Sequence, residues 1–226
     1  MTMKLAVSPY GNAWGRFFPF DEVYDEFVNP ITTGTLKGCD GLLLWGGEDI
    51  HPSFYKQKAH PQNECQAHTP TQRDMLEWHM LREAHELGIP IYGVCRGAQM
   101  LCCFAGGSLI QHTTNHLHAH DIKTHDGLSM RAAANHHQMM EPTEAQYEIL
   151  AWREAVANTR YEVMVSNGSV VNLDKGDCIS DGIDPEVVWF PDVKGLAIQP
   201  HPEWMSKVDE FPNWVVNQIL SYSFGD

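Results

Sequence analysis

The segment Gly41-Leu42-Leu43-Leu44-Trp45 restricts the fold more than any other part of the chain. It is an unbroken apolar run, and such a run suits a strand covered on both faces inside a parallel sheet. Gly46-Gly47 follow directly, and without a Cβ the backbone there can turn sharply or approach a ligand closely. Elsewhere apolar runs alternate with helical patterns, which predicts βαβ units and an α/β fold with a mostly parallel central sheet.

Leu5 to Val7 reads as a first strand, ended by Ser8-Pro9-Tyr10-Gly11. Thr71 to Leu87 predicts a helix, since Met75, Trp78, Leu81 and Leu87 recur at roughly helical spacing, with Gly88 as its stop. Ile89 to Val94 is then a short strand, and Arg96 to Ala105 a second helix closed by Gly106-Gly107. Val187 to Phe190 and Leu196 to Ile198 read as a hairpin across Pro191-Asp192-Val193-Lys194-Gly195. Asp209 to Tyr222 predicts a closing helix with Phe211, Trp214, Val215 and Ile219 on one side. No repeat or linker interrupts the 226 residues, so residues 1–226 are read as a single domain.

A formal charge of −14 argues against a general affinity for nucleic acid or an anionic membrane, because phosphate binding needs a positive footprint. Anionic ligands would be steered away unless local charge, such as that of Arg96, reverses the field. The N-terminus lacks the apolar stretch and small-residue cleavage site of a signal peptide, and no apolar run reaches membrane-spanning length. Six irregularly spaced cysteines (39, 65, 95, 102, 103 and 178) then read as reduced thiols, and the expected compartment is the cytoplasm.

One of these thiols stands apart. Gly93-Val94-Cys95-Arg96-Gly97 puts a cysteine at a strand-to-helix junction with glycine on either side, the pattern of a nucleophile elbow. The helix N-terminus favours thiolate, and the Arg96 N–H points toward the place where an oxyanion would form. The other five cysteines lie in no such turn and are read as structural. A thiolate needs a base, and the base needs an orienting group. Gln199-Pro200-His201-Pro202-Glu203 offers both, directly after a predicted strand. Prolines restrict the backbone around His201, and Glu203 can fix its tautomer.

Taken together, these blocks resemble the class I glutamine amidotransferase superfamily, and within it the γ-glutamyl hydrolase branch that includes γ-glutamyl-γ-aminobutyrate hydrolase. Gly46-Gly47-Glu48-Asp49-Ile50-His51-Pro52 with Tyr55 is similar to the branch's Gly-Gly-x-Asp-x-x-Pro-x-x-Tyr loop. Arg73-Asp74 resembles the segment preceding the nucleophile strand. Cys95-Arg96-Gly97-Ala98-Gln99 with Gly106-Gly107-Ser108-Leu109-Ile110-Gln111, and His201-Pro202-Glu203, complete the likeness. The resemblance implies a flavodoxin-like three-layer sandwich and a catalytic triad of Cys95, His201 and Glu203. It also implies an oxyanion hole from the backbone at Gly47 and Arg96, and substrate contacts from Gly46, Gln99 and His136. The chain departs from the branch where Ala133-Ala134 precede Asn135-His136-His137-Gln138, and where Asp184-Pro185-Glu186 follow Asp181-Gly182-Ile183.

His112, His116, His118, His120 and His125 crowd one tract. His116-x-His118-x-His120 would set three imidazoles on one face of a strand, a spacing able to bind zinc. No cysteine or glutamate in the tract completes a zinc pattern, and the resemblance needs no metal, so neither metal nor cofactor is expected. Trp204, beside Glu203, is the tryptophan expected to line a pocket.

Two enzymatic activities fit these residues. One is a free-standing cysteine hydrolase that cleaves the γ-amide of glutamine or a γ-glutamyl compound through a thioester on Cys95. The other is a glutaminase subunit delivering ammonia to a separate synthetase or ligase. A catalytically silent binding protein of the same fold is a third reading, disfavoured because all three triad positions are filled. The expected partner is therefore a small-molecule substrate, with room for a synthetase or ligase and for a homodimer.

Overall fold

The computed structural model describes residues 2–11, 16–65, 67–142, 145–154, 156, 158–173 and 182–225. Cys178 and Asp181, both considered above, lie outside the described residues.

A nine-stranded sheet organises the chain. Its strands are β1 (Lys4–Val7), β2 (Glu26–Val28), β3 (Gly41–Leu44), β4 (Ile91–Val94) and β5 (His120–Thr124). They continue with β6 (Ser129–Ala132), β7 (Glu148–Glu154), β8 (Ile183–Phe190) and β9 (Gly195–Ile198). The spatial order is β2-β1-β3-β4-β9-β8-β7-β5-β6. The expectation of a mostly parallel sheet holds for half of it. From β2 to β9 every neighbour is parallel, and from β9 to β6 every neighbour is antiparallel. The switch occurs at the β8–β9 hairpin, which forms as predicted, pairing Val187 with Ile198 and Phe190 with Gly195. Beyond it the chain adds strands through antiparallel pairings rather than helical crossovers, which reverses direction at each step.

Helices cover both faces. Helices α1 (Gln72–Leu87) and α2 (Arg96–Phe104) pack on one face, where Met80, Leu81, Ala98 and Leu101 meet Leu42, Leu44, Ile91 and Ala197. On the other, α3 (Glu210–Phe224) brings Phe211, Trp214, Val215 and Ile219 against Leu43, Tyr92, Leu196 and Ile198. The alternation of outward side chains explains this: each parallel central strand is apolar on both faces because both faces are covered. β3, β4 and β9 are buried at every residue.

Helix α1 begins in a reciprocal capping box, with Thr71 Oγ1 accepting from Asp74 N and the Asp74 carboxylate accepting from Thr71 N. Its inward stripe differs from the one predicted. Met75 and Leu87 are 57% and 38% exposed, and the buried positions are Asp74, Glu77, Met80, Leu81 and Ala84. Two carboxylates occupy the inner face of this helix, for a reason that lies in the site. No helix among the described residues is long and apolar enough to cross a membrane.

Candidate active site

β4 runs into α2 with a single residue between them, Cys95, at φ 52° and ψ −108°. A non-glycine side chain in this sparsely occupied region signals a backbone held there by its surroundings. The two flanking glycines explain how. A Cβ on Gly93 would lie 2.3 Å from Gly97 O, and one on Gly97 would lie 2.3 Å from Leu44 O. The helix start is thus pressed against β3 and β4, and the turn is too tight for any side chain except the one it projects. Cys95 N donates to Ile198 O at 2.8 Å, tying the elbow to the end of β9.

That same strand end delivers His201. Its backbone N–H donates to Ala133 O at 2.8 Å, and its Nδ1 lies 2.7 Å from Glu203 Oε1. With Nδ1 engaged by the carboxylate, Nε2 is left to face the cysteine. Burial disfavours charge on His201, but hydrogen bonds with Cys95 and Glu203 outweigh it and push its pKa up to about 10. The ring is also clamped by Trp204, stacked parallel with centroids 3.6 Å apart. By contrast, burial pushes the thiols of Cys102 and Cys103 well up. Cys39, Cys65, Cys95, Cys102 and Cys103 are all unbridged.

The Gly46-Gly47 loop passes over the pair. A Cβ on Gly46 would come within 3.1 Å of His201 Cε1 and 3.3 Å of Cys95 Cβ. Gly47 has φ +148°, where an added Cβ would strike Arg73 Nη1 at 2.3 Å. Arg73 fixes this loop by donating through Nη2 to Trp45 O at 2.9 Å and Gly46 O at 3.1 Å.

Beneath the loop, Arg96 is paired with both Asp74 and Glu77 in full burial. Glu77 also accepts from Arg73 Nε at 3.1 Å and from Ser8 Oγ at 2.7 Å. This is why α1 turns carboxylates inward. It also corrects the expectation that Arg96 reverses the local field, because its charge is balanced below the helix. Its backbone N–H still heads α2, where the first turn has no intrahelical acceptors.

A cleft of about 340 Å³ opens above these residues. Gly46, Gly47, Cys95, Gln99, His136, His201 and Glu203 all line it, so the predicted site residues converge apart from the Arg96 side chain. Gln99 Nε2 donates to Gln138 O at 3.0 Å, and His136 Nδ1 lies 2.9 Å from the same oxygen. The cleft has further walls that the sequence reading did not single out: Glu48, Asp49, Glu64, Asn135 and His137. Asp49 accepts from Glu64 N at 2.8 Å and sits 3.2 Å from His137 Nε2. The Asp49 carboxylate raises the His137 pKa. The acidic residue in the Gly-Gly-x-Asp loop was the available signal.

The histidine tract does not form the predicted strand face. Residues 114–119 are irregular, and His118 and His125 are exposed. His116 and His120 are buried and meet His136 from another loop and two carboxylates of β8, Asp184 and Glu186. The glutamate absent from the tract itself arrives from β8. Among the described residues, two groups place donor atoms within 4.8 Å of one another: His116, His136 and Glu186, and Asp49, Glu64 and His137.

With this geometry in place, comparison with known proteins gives a consistent result. The family model described as Peptidase C26 matches residues 28–203. Protein NtpR of Enterococcus hirae is 29% identical over 166 residues, 73% of this chain and 66% of that protein. A Mycobacterium tuberculosis protein, provisionally named a glutamine amidotransferase, is 37% identical over 101 residues, 44% of this chain. The match spans only 30% of that protein, so this chain covers less than two thirds of either relative. Among solved structures, the glutaminase domain of Trypanosoma brucei CTPS with bound acivicin superposes with a TM-score of 0.56 at 14% identity. That superposition covers 99% of this chain and 94% of the other, and at such identity it shows a shared fold.

Proposed function

The chain belongs to the peptidase C26 family, of class I glutamine amidotransferase-like fold, and from that premise we propose that it is a cysteine-dependent γ-glutamyl amide hydrolase. The observation that carries this reading is the strained Cys95 elbow in contact with an imidazole that Glu203 orients and that stays protonated through neutral pH. A protonated imidazole beside the sulfur is the partner that a nucleophilic thiolate requires.

Cys95 Sγ attacks the γ-carbonyl of glutamine or a γ-glutamyl compound, and the carbonyl electrons move onto oxygen. The N–H groups of Gly47 and Arg96 stabilise that oxyanion, each donor being worth about 10²–10³ in rate. Collapse of the intermediate expels the amine, which takes its proton from His201. Water, deprotonated by His201, then cleaves the γ-glutamyl thioester and restores the thiolate–imidazolium pair. Gly46 and the buried amide of Gln99 position the acyl chain, with His136 beside them. Asp49 and Glu64 at the cleft wall suit the positive α-ammonium of such a substrate.

A second reading is favoured by the likeness to a glutaminase domain. In it the same half-reaction releases ammonia to a separate synthetase or ligase. The two readings separate on substrate preference. Purified chain assayed with glutamine and a panel of γ-glutamyl amines is expected to release the amine from the panel, with Cys95→Ala inactive on all of them. Glutaminase activity that appears only on adding a synthetase favours the second reading. Hydrolysis by Cys95→Ala at the wild-type rate contradicts both.

A further inference from the structure

Behind the cleft, we propose, His116, His136 and Glu186 form a binding site for a divalent transition-metal ion, zinc by the nature of its donors. The three residues come from separate places: the irregular segment before β5, the loop after β6, and the middle of β8. They are 0%, 4% and 0% exposed.

Three donor atoms in this pocket are buried and lack hydrogen-bond partners: His116 Nδ1, His136 Nε2 and Glu186 Oε2. His136 Nε2 lies 3.9 Å from Glu186 Oε2, and His116 Nδ1 lies 3.4 Å from Glu186 Oε1. Orphaned polar atoms in full burial are costly, and three aimed at one another are rare.

The opposite ends of both rings explain what these atoms offer. His136 Nδ1 is 2.9 Å from Gln138 O, an acceptor only, so Nδ1 carries the hydrogen and Nε2 is a bare lone pair. His116 Nε2 is 3.1 Å from Asp184 Oδ2, and that carboxylate is itself fixed by Tyr161 Oη at 2.7 Å. In the neutral ring, that bond likewise leaves Nδ1 as the lone pair. His116 Nδ1 thus faces Glu186 Oε1 and His136 Nε2 faces Oε2, and an entering divalent ion would displace the proton that Asp184 and Glu186 favour on the His116 ring. The pattern is that of metal-ligating histidines, whose second nitrogen donates to a carboxylate or a backbone carbonyl.

Charge and size agree. A divalent cation balances the two buried carboxylates, Asp184 and Glu186, while both ligating rings stay neutral. Two imidazoles and one carboxylate are a recognised zinc set, with nitrogen ligands at about 2.0–2.1 Å. The donor atoms lie within 4.8 Å of one another. A tetrahedral site has edges of about 3.4 Å, so the donors would draw together on binding. His120 Nε2, 2.7 Å from Glu186 Oε1, holds the other oxygen of the ligating carboxylate. The group of Asp49, Glu64 and His137 is less suited, because Asp49 is already engaged by Glu64 N and Glu64 is exposed.

An ion here would pin the loop that carries Ala133 O and Gln138 O, the acceptors of His201 N and Gln99 Nε2. It is a positioning site, separate from the sulfur chemistry.

The test uses the full chain, stripped with a chelator, dialysed, and titrated with Zn²⁺ by calorimetry and with Co²⁺ by visible absorption. The expected result is one equivalent of either metal, a cobalt spectrum of tetrahedral type, and a Tm raised by several degrees on adding zinc. His116→Ala and Glu186→Gln are expected to weaken binding by about 100-fold or more, while His137→Ala binds as the wild type does. The wild-type cobalt spectrum stands even where a variant fails to fold. Failure of the wild-type chain to bind either metal would overturn the proposal. So would binding that survives His116→Ala and Glu186→Gln, or that is lost in His137→Ala.

Discussion

Two imidazole–carboxylate assemblies lie one strand apart in this molecule, joined where Gln199 N donates to Glu186 O at 2.8 Å. In the first, His201 stands between Glu203 and Cys95 at the floor of the cleft. In the second, His116, His120 and His136 close around Asp184 and Glu186 behind it. The residue types are nearly the same. What differs is the backbone and the exit. The first has a cysteine on a strained turn, an imidazole bracketed by prolines, and open space above it. The second sits on regular strand and loop and is buried. Imidazoles and carboxylates thus become chemistry or structure according to what the backbone sets beside them.

The sharpest way to break this contrast is to exchange carboxylate for amide in each assembly. Glu203→Gln keeps the size of the side chain but removes the charge orienting His201. Its kcat is expected to fall by about 10²–10⁴-fold, out of proportion to the loss of stability from the broken pair. Glu186→Gln should show the reverse. It strips two buried imidazoles of their shared partner, a loss of about 3–5 kcal/mol that lowers Tm on the order of 10 °C. A Glu203→Gln enzyme that unfolds early but turns over normally would make the first assembly structural as well.

The elbow offers a smaller, steric test. Gly97→Ala forces a Cβ to within 2.3 Å of Leu44 O, and backbone cannot yield as a flexible side chain can. A stability loss of about 1–3 kcal/mol is expected, read by denaturant midpoint, together with impaired activity. An active Gly97→Ala variant of wild-type stability would mean that the turn is looser than described.

The remaining expected effect is on pH. The His201 pKa is raised from 6.5 to about 10, so its pairing contributes stability that is complete below 6.5 and fades as pH rises through about 10. The stability difference between wild type and His201→Ala should therefore narrow toward pH 10. A difference that widens there has the wrong sign for an imidazolium held by its partners.

The contrast also explains what could be read from residues alone. Gly93-Val94-Cys95-Arg96-Gly97 and His201-Pro202-Glu203 were legible because their constraints are local: a tight turn between glycines, and a histidine two residues from its carboxylate. The β8–β9 hairpin was legible for the same reason. Asp74 and Glu77 were not. They follow the helical spacing that continues through Leu81 and Ala84, but an inward carboxylate is recognisable only once Arg96 is known to lie against it. β5 and β6 alternate buried and exposed residues, yet His120 and Thr124 hide that period among polar neighbours. Glu186 met His120 only through folding, across 66 positions of sequence.

The central claim is that Cys95 carries the acyl group. The most direct measurement is mass spectrometry of acid-quenched enzyme after brief incubation with excess γ-glutamyl anilide. The expected adduct is one γ-glutamyl group on the peptide containing Cys95, disappearing as substrate is exhausted. An adduct on another residue, or full turnover by Cys95→Ser with none, would contradict the account.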